Sequence, residues 1–390
     1  MTVSSPALQS IQVGLCLGAG FQPAPLDLMQ ALEAVEVTQT DEAPSRFQLT
    51  FRAEVAGAGA LDYAVVQNPL LQPATRVVIS AAVNAASRVL IDGFITRQQF
   101  APSDRPGAAR FTAAGEDLSV KMDAIEVALE FPEMGDAAIA GTVLAKYALL
   151  YGVTPNVKPT LLDALPFGYV PQQNGSDREY LKQLAQQNGN LFYIQPGAAP
   201  GESYAYWGPP VLAGTPQPPL DVSLGPFTNV SSLRFSFDSL KPTFVYGFVM
   251  ETLTDPYLPF PILTVGSTRS PQLAATPALS PSQLLNLAVR KRLWLDQGMD
   301  PVHSWAAAQG MTDLSTDAVV TGEGELDAVY YGGVLTAPGL VGVRGAGANY
   351  DGLYYVKQAQ HRISAATGQF TYRQGFTLTR EGLGSTESQL

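Results

Sequence analysis

Two pairs of carboxylates stand at a spacing that could do acid–base chemistry: Asp313 with Asp317, and Glu323 with Asp327. Glycoside hydrolysis needs such a pair, one group as acid and the other as base or nucleophile. Both pairs lie in sequence that reads as solvated turns, which argues against catalysis. A metal site needs ligands clustered at fixed spacing. His303, His361 and Cys16 are far apart, and neither an HExxH nor a CxxC pattern occurs. His361 closes an expected strand and is read as a structural polar residue. No GxSxG elbow marks a nucleophilic serine. Gly14, Gly18 and Gly20 are followed by Pro23 and Pro25 rather than by a helix. Gly345-Ala346-Gly347 is followed by Asn349 and a strand, so neither run makes a phosphate cradle. Arg290, Lys291 and Arg292 are read as a solvated or interface patch. The sequence thus predicts no catalytic residue, no cofactor-binding residue, no cofactor and no metal ligand.

Composition narrows the classes further. The chain has 390 residues, 46% hydrophobic and 15% charged, with 36 Gly and 30 Pro. That is the balance of a well-buried, turn-rich β-protein of several domains. A net charge of -11 disfavours nucleic-acid binding, which calls for a basic excess. The single cysteine, Cys16, excludes an internal disulfide framework. The first basic residue is Arg46, so the apolar stretch Val13 to Phe21 lacks the charged start of a signal peptide. No window is apolar for long enough to predict a membrane span.

The elements that would position these residues are mostly strands. Phe47, Leu49 and Phe51 alternate with Gln48, Thr50 and Arg52, the period of a strand with one buried face. Val35–Thr40, Arg76–Ala82, Val89–Phe100 and Arg110–Ala114 extend the pattern, and short strands at this spacing predict a barrel or sandwich. Ile139, Val143, Tyr147 and Leu150 recur at helical spacing and end at Gly152. Ser176 and Glu179 form a capping box that opens a helix running to about Gly189. Ser280 and Gln283 form a second, expected to open a helix to about Gln297. Residues 154–175, 196–219 and 255–277 read as Pro-rich connections, and 381–390 as a polar tail. Near the C-terminus, Tyr354 to Arg380 reads as a hairpin turning at Ala365 to Gly368. Phe370, Tyr372, Phe376 and Leu378 face one way, with Gln374 breaking the apolar run. Thr371, Arg373, Thr377 and Thr379 face the other.

Several stretches together resemble a known family. Leu90-Ile91-Asp92-Gly93-Phe94-Ile95-Thr96, followed by Phe111 to Leu118, resembles a strand pair of phage late-control D proteins. Ser176 to Tyr193 is similar to a helix–strand element shared with VgrG spike proteins. Gly352 to Val356, His361 and the run Phe370 to Arg380 resemble the family's closing strands. The resemblance covers most of residues 30–382, and its order is more specific than any one motif.

The resemblance implies a central hub of a contractile tail or contractile injection system. The implied fold is mainly β with α+β insertions, with two hub-type β-barrel domains per chain. A homotrimer then makes a pseudo-six-fold ring that adapts a hexameric inner tube protein to a three-fold spike. Expected domains are 1–104 (first barrel), 105–125 with 315–382 (second barrel), 126–235 (α+β insertion), 236–314 (strand and helix domain) and 383–390 (tail). Expected partners are the inner tube protein, a separate spike protein and other baseplate proteins, with no sequence-specific nucleic acid. Assembly is expected in the bacterial cytoplasm, within a phage tail or injection particle. A carbohydrate- or receptor-binding β-protein and a cell-wall hydrolase are the alternatives.

Overall fold

The computed structural model describes residues 11–54, 63–84, 86–105, 107–160, 170–250, 258–283, 289–295, 300–366 and 369–386. The chain is mainly β. Its N-terminal part comprises β1 (Ile11–Leu17), β2 (Gln22–Pro23), the short helix α1 (Leu26–Ala31), β3 (Leu32–Thr40), β4 (Arg46–Arg52), β5 (Arg76–Val83), β6 (Ala86–Ala101) and β7 (Arg110–Asp117). The alternation seen in the sequence is carried out in space. Phe47, Leu49 and Phe51 are buried in the first core with Phe111, Ile79 and Leu90, while their polar neighbours face outward. Of residues 105–125, grouped by sequence with the C-terminal strands, β7 pairs with β4 and β6. Gly93 permits that pairing, since a Cβ there would lie 2.1 Å from the carbonyl oxygen of Glu116.

The middle of the chain holds β8 (Glu126–Glu130), α2 (Asp136–Tyr151), β9 (Val153–Val157), β10 (Gln172–Ser176), α3 (Asp177–Gln187), β11 (Leu191–Pro196) and β12 (Ser203–Gly208). The capping box forms as expected: Glu179 N donates to Ser176 Oγ, and Ser176 N donates to the Glu179 carboxylate. Gly152 ends α2 in the left-handed conformation. Ile139, Val143 and Tyr147 are buried, but Leu150 is exposed, so the apolar stripe of α2 is one turn shorter than its sequence suggests.

The C-terminal part contains β13 (Gln217–Asp221), β14 (Ser232–Phe237), β15 (Thr243–Met250), β16 (Pro259–Leu263), β17 (Ala274–Pro277), β18 (Arg290–Leu293), α4 (Pro301–Thr316), β19 (Val320–Asp327), α5 (Ala328–Tyr331), β20 (Gly339–Arg344), β21 (Gly352–Ala366), β22 (Gln369–Arg380) and β23 (Gly382–Ser385). Three Pro-rich connections are therefore more structured than expected. They contain β9 and β10, β12 and the start of β13, and β16 and β17. Trp207 of β12 is fully buried. Prolines do not exclude these strands because each strand that carries one, β9, β13, β16 or β17, lies at an edge of its sheet.

The second capping-box helix does not form as expected. Pro281–Gln283 makes a 3-10 turn, and Arg290–Leu293 is a strand paired parallel to β15; residues 284–288 and 296–299 of that stretch lie outside the described residues. The long helix starts instead at Pro301, capped by Asp300, whose Oδ1 accepts the N–H groups of Val302 and His303. The expected tail is also partly a strand, since β23 pairs with β17. Residues 387–390 of it, and residues 367–368 of the hairpin turn, lie outside the described residues.

A 13-stranded sheet joins the two ends of the chain in the order β14-β19-β22-β21-β3-β4-β7-β6-β5-β1-β2, with β13 and β20 branching from β21. β21 makes that junction. Its first half, to Val356, pairs with β20, and from Gln358 it pairs with β3. The register against β22 shifts between Val356 and Gln358, a bulge of the kind that bends a strand and redirects its pairing. The hairpin therefore serves two cores. Tyr354, Val356, Phe376 and Leu378 belong to the C-terminal core, and Ile363 and Tyr372 to the N-terminal one. No helix among the described residues is long and apolar enough to cross a membrane.

Candidate functional site

The residues singled out for chemistry are committed elsewhere. Glu323 and Asp327 lie in β19 rather than in a turn, as do Gly322 and Gly324. Four residues of strand separate the two carboxylates by roughly 13 Å, beyond the range of a glycosidase pair. Glu323 instead meets Arg234 at 2.8 Å on the surface, and Asp327 Oδ1 caps α5 by accepting Val329 N. Glu323→Gln is accordingly expected to shift stability by less than about 0.5 kcal/mol, because both partners of that ion pair are largely exposed. Chemical denaturation beside the wild type would measure it, and a loss of several kcal/mol would contradict the assignment.

Asp313 sits inside α4 and Asp317 is its C-cap. Asp313 accepts from Thr268 N, Thr268 Oγ1 and Gln309 Nε2. Asp317 forms a bidentate pair with Arg269 at 2.8 and 2.7 Å, and Arg269 also donates to Gly189 O. The two acids thus fasten the segment around Thr268 to α4 and to the end of α3. His303 Nδ1 lies 2.6 Å from Asp300 Oδ2 at the start of α4. Cys16 is half-buried in β1, where burial pushes its thiol up. Among the described residues no group of three His, Cys, Asp or Glu could hold a metal ion.

His361 joins a buried polar cluster between the two cores. Its Nε2 lies 3.1 Å from Gln39 Oε1, and its Nδ1 lies 2.8 Å from Tyr372 Oη and 3.0 Å from Gln374 Nε2. Gln39 Oε1 also accepts Ala337 N, and Gln374 exchanges two bonds with the backbone of Leu335. Oε1 can only accept, so Nε2 carries the proton and Nδ1 accepts. Burial pushes the imidazole down to about 3, so it is neutral. Gln374, the polar interruption in the apolar face of β22, is therefore a cluster member and fully buried. The sequence marks this position by that interruption, but only the pairing of β3 with β21 brings Gln39 to it.

A cavity of about 590 Å³ opens between the turn after β3, α3, the end of α4 and strands β21 and β22; its lining includes Asp41, Asn190, Arg269, Asp317, Tyr355 and Lys357. Burial pushes Asp41 up to about 6, against the opposing pull of Lys357 and Tyr355. A raised folded-state carboxyl stabilises the fold at low pH, and that contribution is lost as pH rises from about 4 through about 6. Asp41→Asn is therefore expected to gain stability relative to wild type on going from pH 4 to pH 8, by up to about 3 kcal/mol. Melting curves at the two pH values measure it; an unchanged difference would show that Asp41 is not held in this way.

The outer faces of the large sheet carry polar side chains. Thr371 and Arg373 are exposed and Thr377 is half-buried, as the alternation predicts, but Thr379 is covered. Arg362 approaches Glu325 at 3.6 Å across β22. By contrast, the three-stranded sheet β16-β15-β18 presents Tyr246, Phe248, Met250, Leu263 and Leu293 to solvent. What the described surface offers is broad sheet faces.

No family model matches the sequence, and none of the curated proteins does. Solved structures do match in fold. A tail protein from Neisseria meningitidis superposes over 96% of this chain and 98% of its own, at TM-score 0.61 and 12% identity. A 43 kDa tail protein of prophage MuSo2 from Shewanella oneidensis superposes over 95% and 99%, at TM-score 0.60 and 12% identity. A chain of the Francisella PdpA–VgrG complex matches over 98% of this chain but 54% of its own, at TM-score 0.58 and 10% identity. The chain has the fold of these tail and VgrG-complex proteins, in keeping with the resemblance read from its sequence.

Proposed function

We propose that the chain is the structural central hub of a contractile tail or contractile injection baseplate. Three copies form a pseudo-six-fold ring that adapts a hexameric inner tube to a trimeric spike. The observation that carries this reading is fold likeness over nearly the whole of both chains in two tail proteins. The internal organisation supports it. Two of the apolar cores among the described residues are walled by one continuous sheet, so three copies supply six such walls, the number a six-fold tube requires. The first barrel is built on the core around Phe51 and the second on the core around Tyr354. The smaller sheets and α2 to α4 are peripheral and face other baseplate proteins. The role is one of assembly, without turnover, in a particle assembled in the bacterial cytoplasm. Electron microscopy of assembled particles carrying a labelled chain tests it. Three copies in a ring between tube and spike are expected; label on the sheath or fibres, or another copy number, would refute the hub.

A further inference from the structure

The cavity lined by Asp41, Asn190 and Tyr355 plays no part in the hub reading, yet it has the makings of a binding site. At about 590 Å³ it has the size that takes a small organic ligand. Asp41 Oδ1, Asn190 Nδ2 and Tyr355 Oη are all buried and reach no hydrogen-bond partner among the described residues. The three residues are 4%, 6% and 4% exposed. A buried polar atom without a partner is costly, and three such atoms on the residues of one cavity wall point to a ligand rather than to packing.

The other carboxylates of the wall are occupied. Glu42 pairs with Lys357 at 2.5 Å and Asp317 with Arg269 at 2.7 Å. Glu381 Oε1 accepts Leu273 N and Ala274 N at 2.6 and 2.8 Å. Lys241, exposed on the same lining, makes no ion pair among the described residues. Asn190 Nδ2 can only donate, and Tyr355 Oη can donate. Apart from Asp41, the unmet groups are therefore donors and a cation. Leu191, Leu212 and Leu273 also line the cavity and pack in one cluster with Tyr355, so the tyrosine hydroxyl ends an apolar wall.

We infer that this cavity binds a small organic anion, a carboxylate, sulfonate or phosphate group on a short apolar body. Its oxygens accept from Asn190, Tyr355 and Lys241, and its body lies on Leu191, Leu212 and Leu273. Asp41 sets the condition for entry. As a carboxylate it repels an anion; as an acid it donates to one. Around it stand Glu42 on its own turn, Lys357 and Tyr355 on β21, and Tyr193 on β11. Glu42 and Lys357 pair with each other, and burial holds both tyrosines above their usual range. Lys182 on α3 donates to Glu42 O, and Arg269 and Asp317 are paired. Asp41, pushed up by burial to about 6, is thus the group that changes charge between pH 5 and pH 8. Anion binding takes up its proton and weakens as pH rises through about 6. The site does not depend on the ring reading.

The test titrates the full chain with hexane-1-sulfonate, which is ionised at every pH used, by calorimetry at pH 5 and pH 8. Saturable binding is expected at pH 5, about tenfold or more tighter than at pH 8. Hexan-1-ol and hexylammonium, with the same body, are expected to bind at least about tenfold more weakly than the sulfonate at pH 5. Tyr355→Phe removes only the hydroxyl and is expected to weaken sulfonate binding about tenfold at pH 5. Asp41→Asn, whose amide donates at every pH, is expected to bind equally at both, a change that a purely structural role would not produce. Cooperative melting checks that each variant is folded. A variant that is not folded is replaced by Lys241→Ala, at an exposed position, which should weaken binding of the sulfonate but not of hexan-1-ol. The inference is overturned if the wild type shows no saturable binding at pH 5, or if either neutral or cationic probe binds as tightly as the sulfonate. It is equally overturned if Tyr355→Phe or Lys241→Ala binds the sulfonate like the wild type, or if Asp41→Asn keeps the wild-type pH dependence.

Discussion

Phe376→Asp is expected to leave the chain without a stable C-terminal core. Phe376 is buried among Val320, Leu326, Val341, Tyr354 and Leu378. It lies opposite Gly324 across the β19–β22 pair, where a Cβ would come 2.6 Å from its ring. The glycine thus makes room for the aromatic, and its lack of a side chain leaves nothing on β19 opposite the ring to take its place. Truncation of a buried Phe costs about 3–5 kcal/mol, and a buried unpaired carboxylate adds several more. Against a total stability of roughly 5–15 kcal/mol for a domain, that is enough to unfold this half. Denaturant titration followed by near-ultraviolet circular dichroism would detect it. A variant with a wild-type midpoint would show that the hairpin does not form the core, and particles still assembled with it would refute its place in the barrel wall.

His361→Ala carries the second large effect, and its pH dependence is diagnostic. The substitution removes the hydrogen-bond partner of Tyr372 Oη and opens a cavity where β3, β21 and β22 meet. An orphaned buried hydroxyl and the lost packing together cost about 3–5 kcal/mol at pH 7. In acid the gap should narrow. The wild-type imidazole stays neutral when folded down to about pH 3, while the unfolded chain takes up a proton near 6.5. Between those values the unfolded wild type binds the extra proton, so its stability falls with falling pH. The alanine variant has no such term. By pH 4.5 the difference should have shrunk by roughly 2–3 kcal/mol. A difference independent of pH would mean that His361 is not buried neutral.

Much of the local structure was legible in the sequence because it depends on near neighbours. Alternation at residues 47–52, the Ser176–Glu179 capping box, the glycine stop at Gly152 and the closing hairpin each follow from side chains a few residues apart. The same local rules failed where a distant strand intervened. Ser280 to Gln283 has the signature of a helix start, yet Arg290 to Leu293 pairs with β15, because the open edge of that strand satisfies a backbone that local capping cannot hold alone. The strands hidden in Pro-rich stretches were missed for the same reason.

By itself the sequence determined a β-rich chain of low charge, a short list of residues able to do chemistry, and a family resemblance carried by the order of degenerate motifs. Periodicity and composition suffice for that, since burial of one strand face is written into the alternation of its residues. Only the tertiary structure decided that Glu323 and Asp327 stand too far apart to act together, and that Asp313 and Asp317 hold a segment in place. Only it showed that His361 meets Gln39 from the other end of the chain. It also showed that the hairpin from Tyr354 to Arg380 walls both cores. Those outcomes depend on β21 leaving β20 for β3 at the bulge near Lys357, a pairing between residues more than 300 positions apart. No local pattern encodes it, because it is selected by the combined burial of two cores rather than by the residues at the junction.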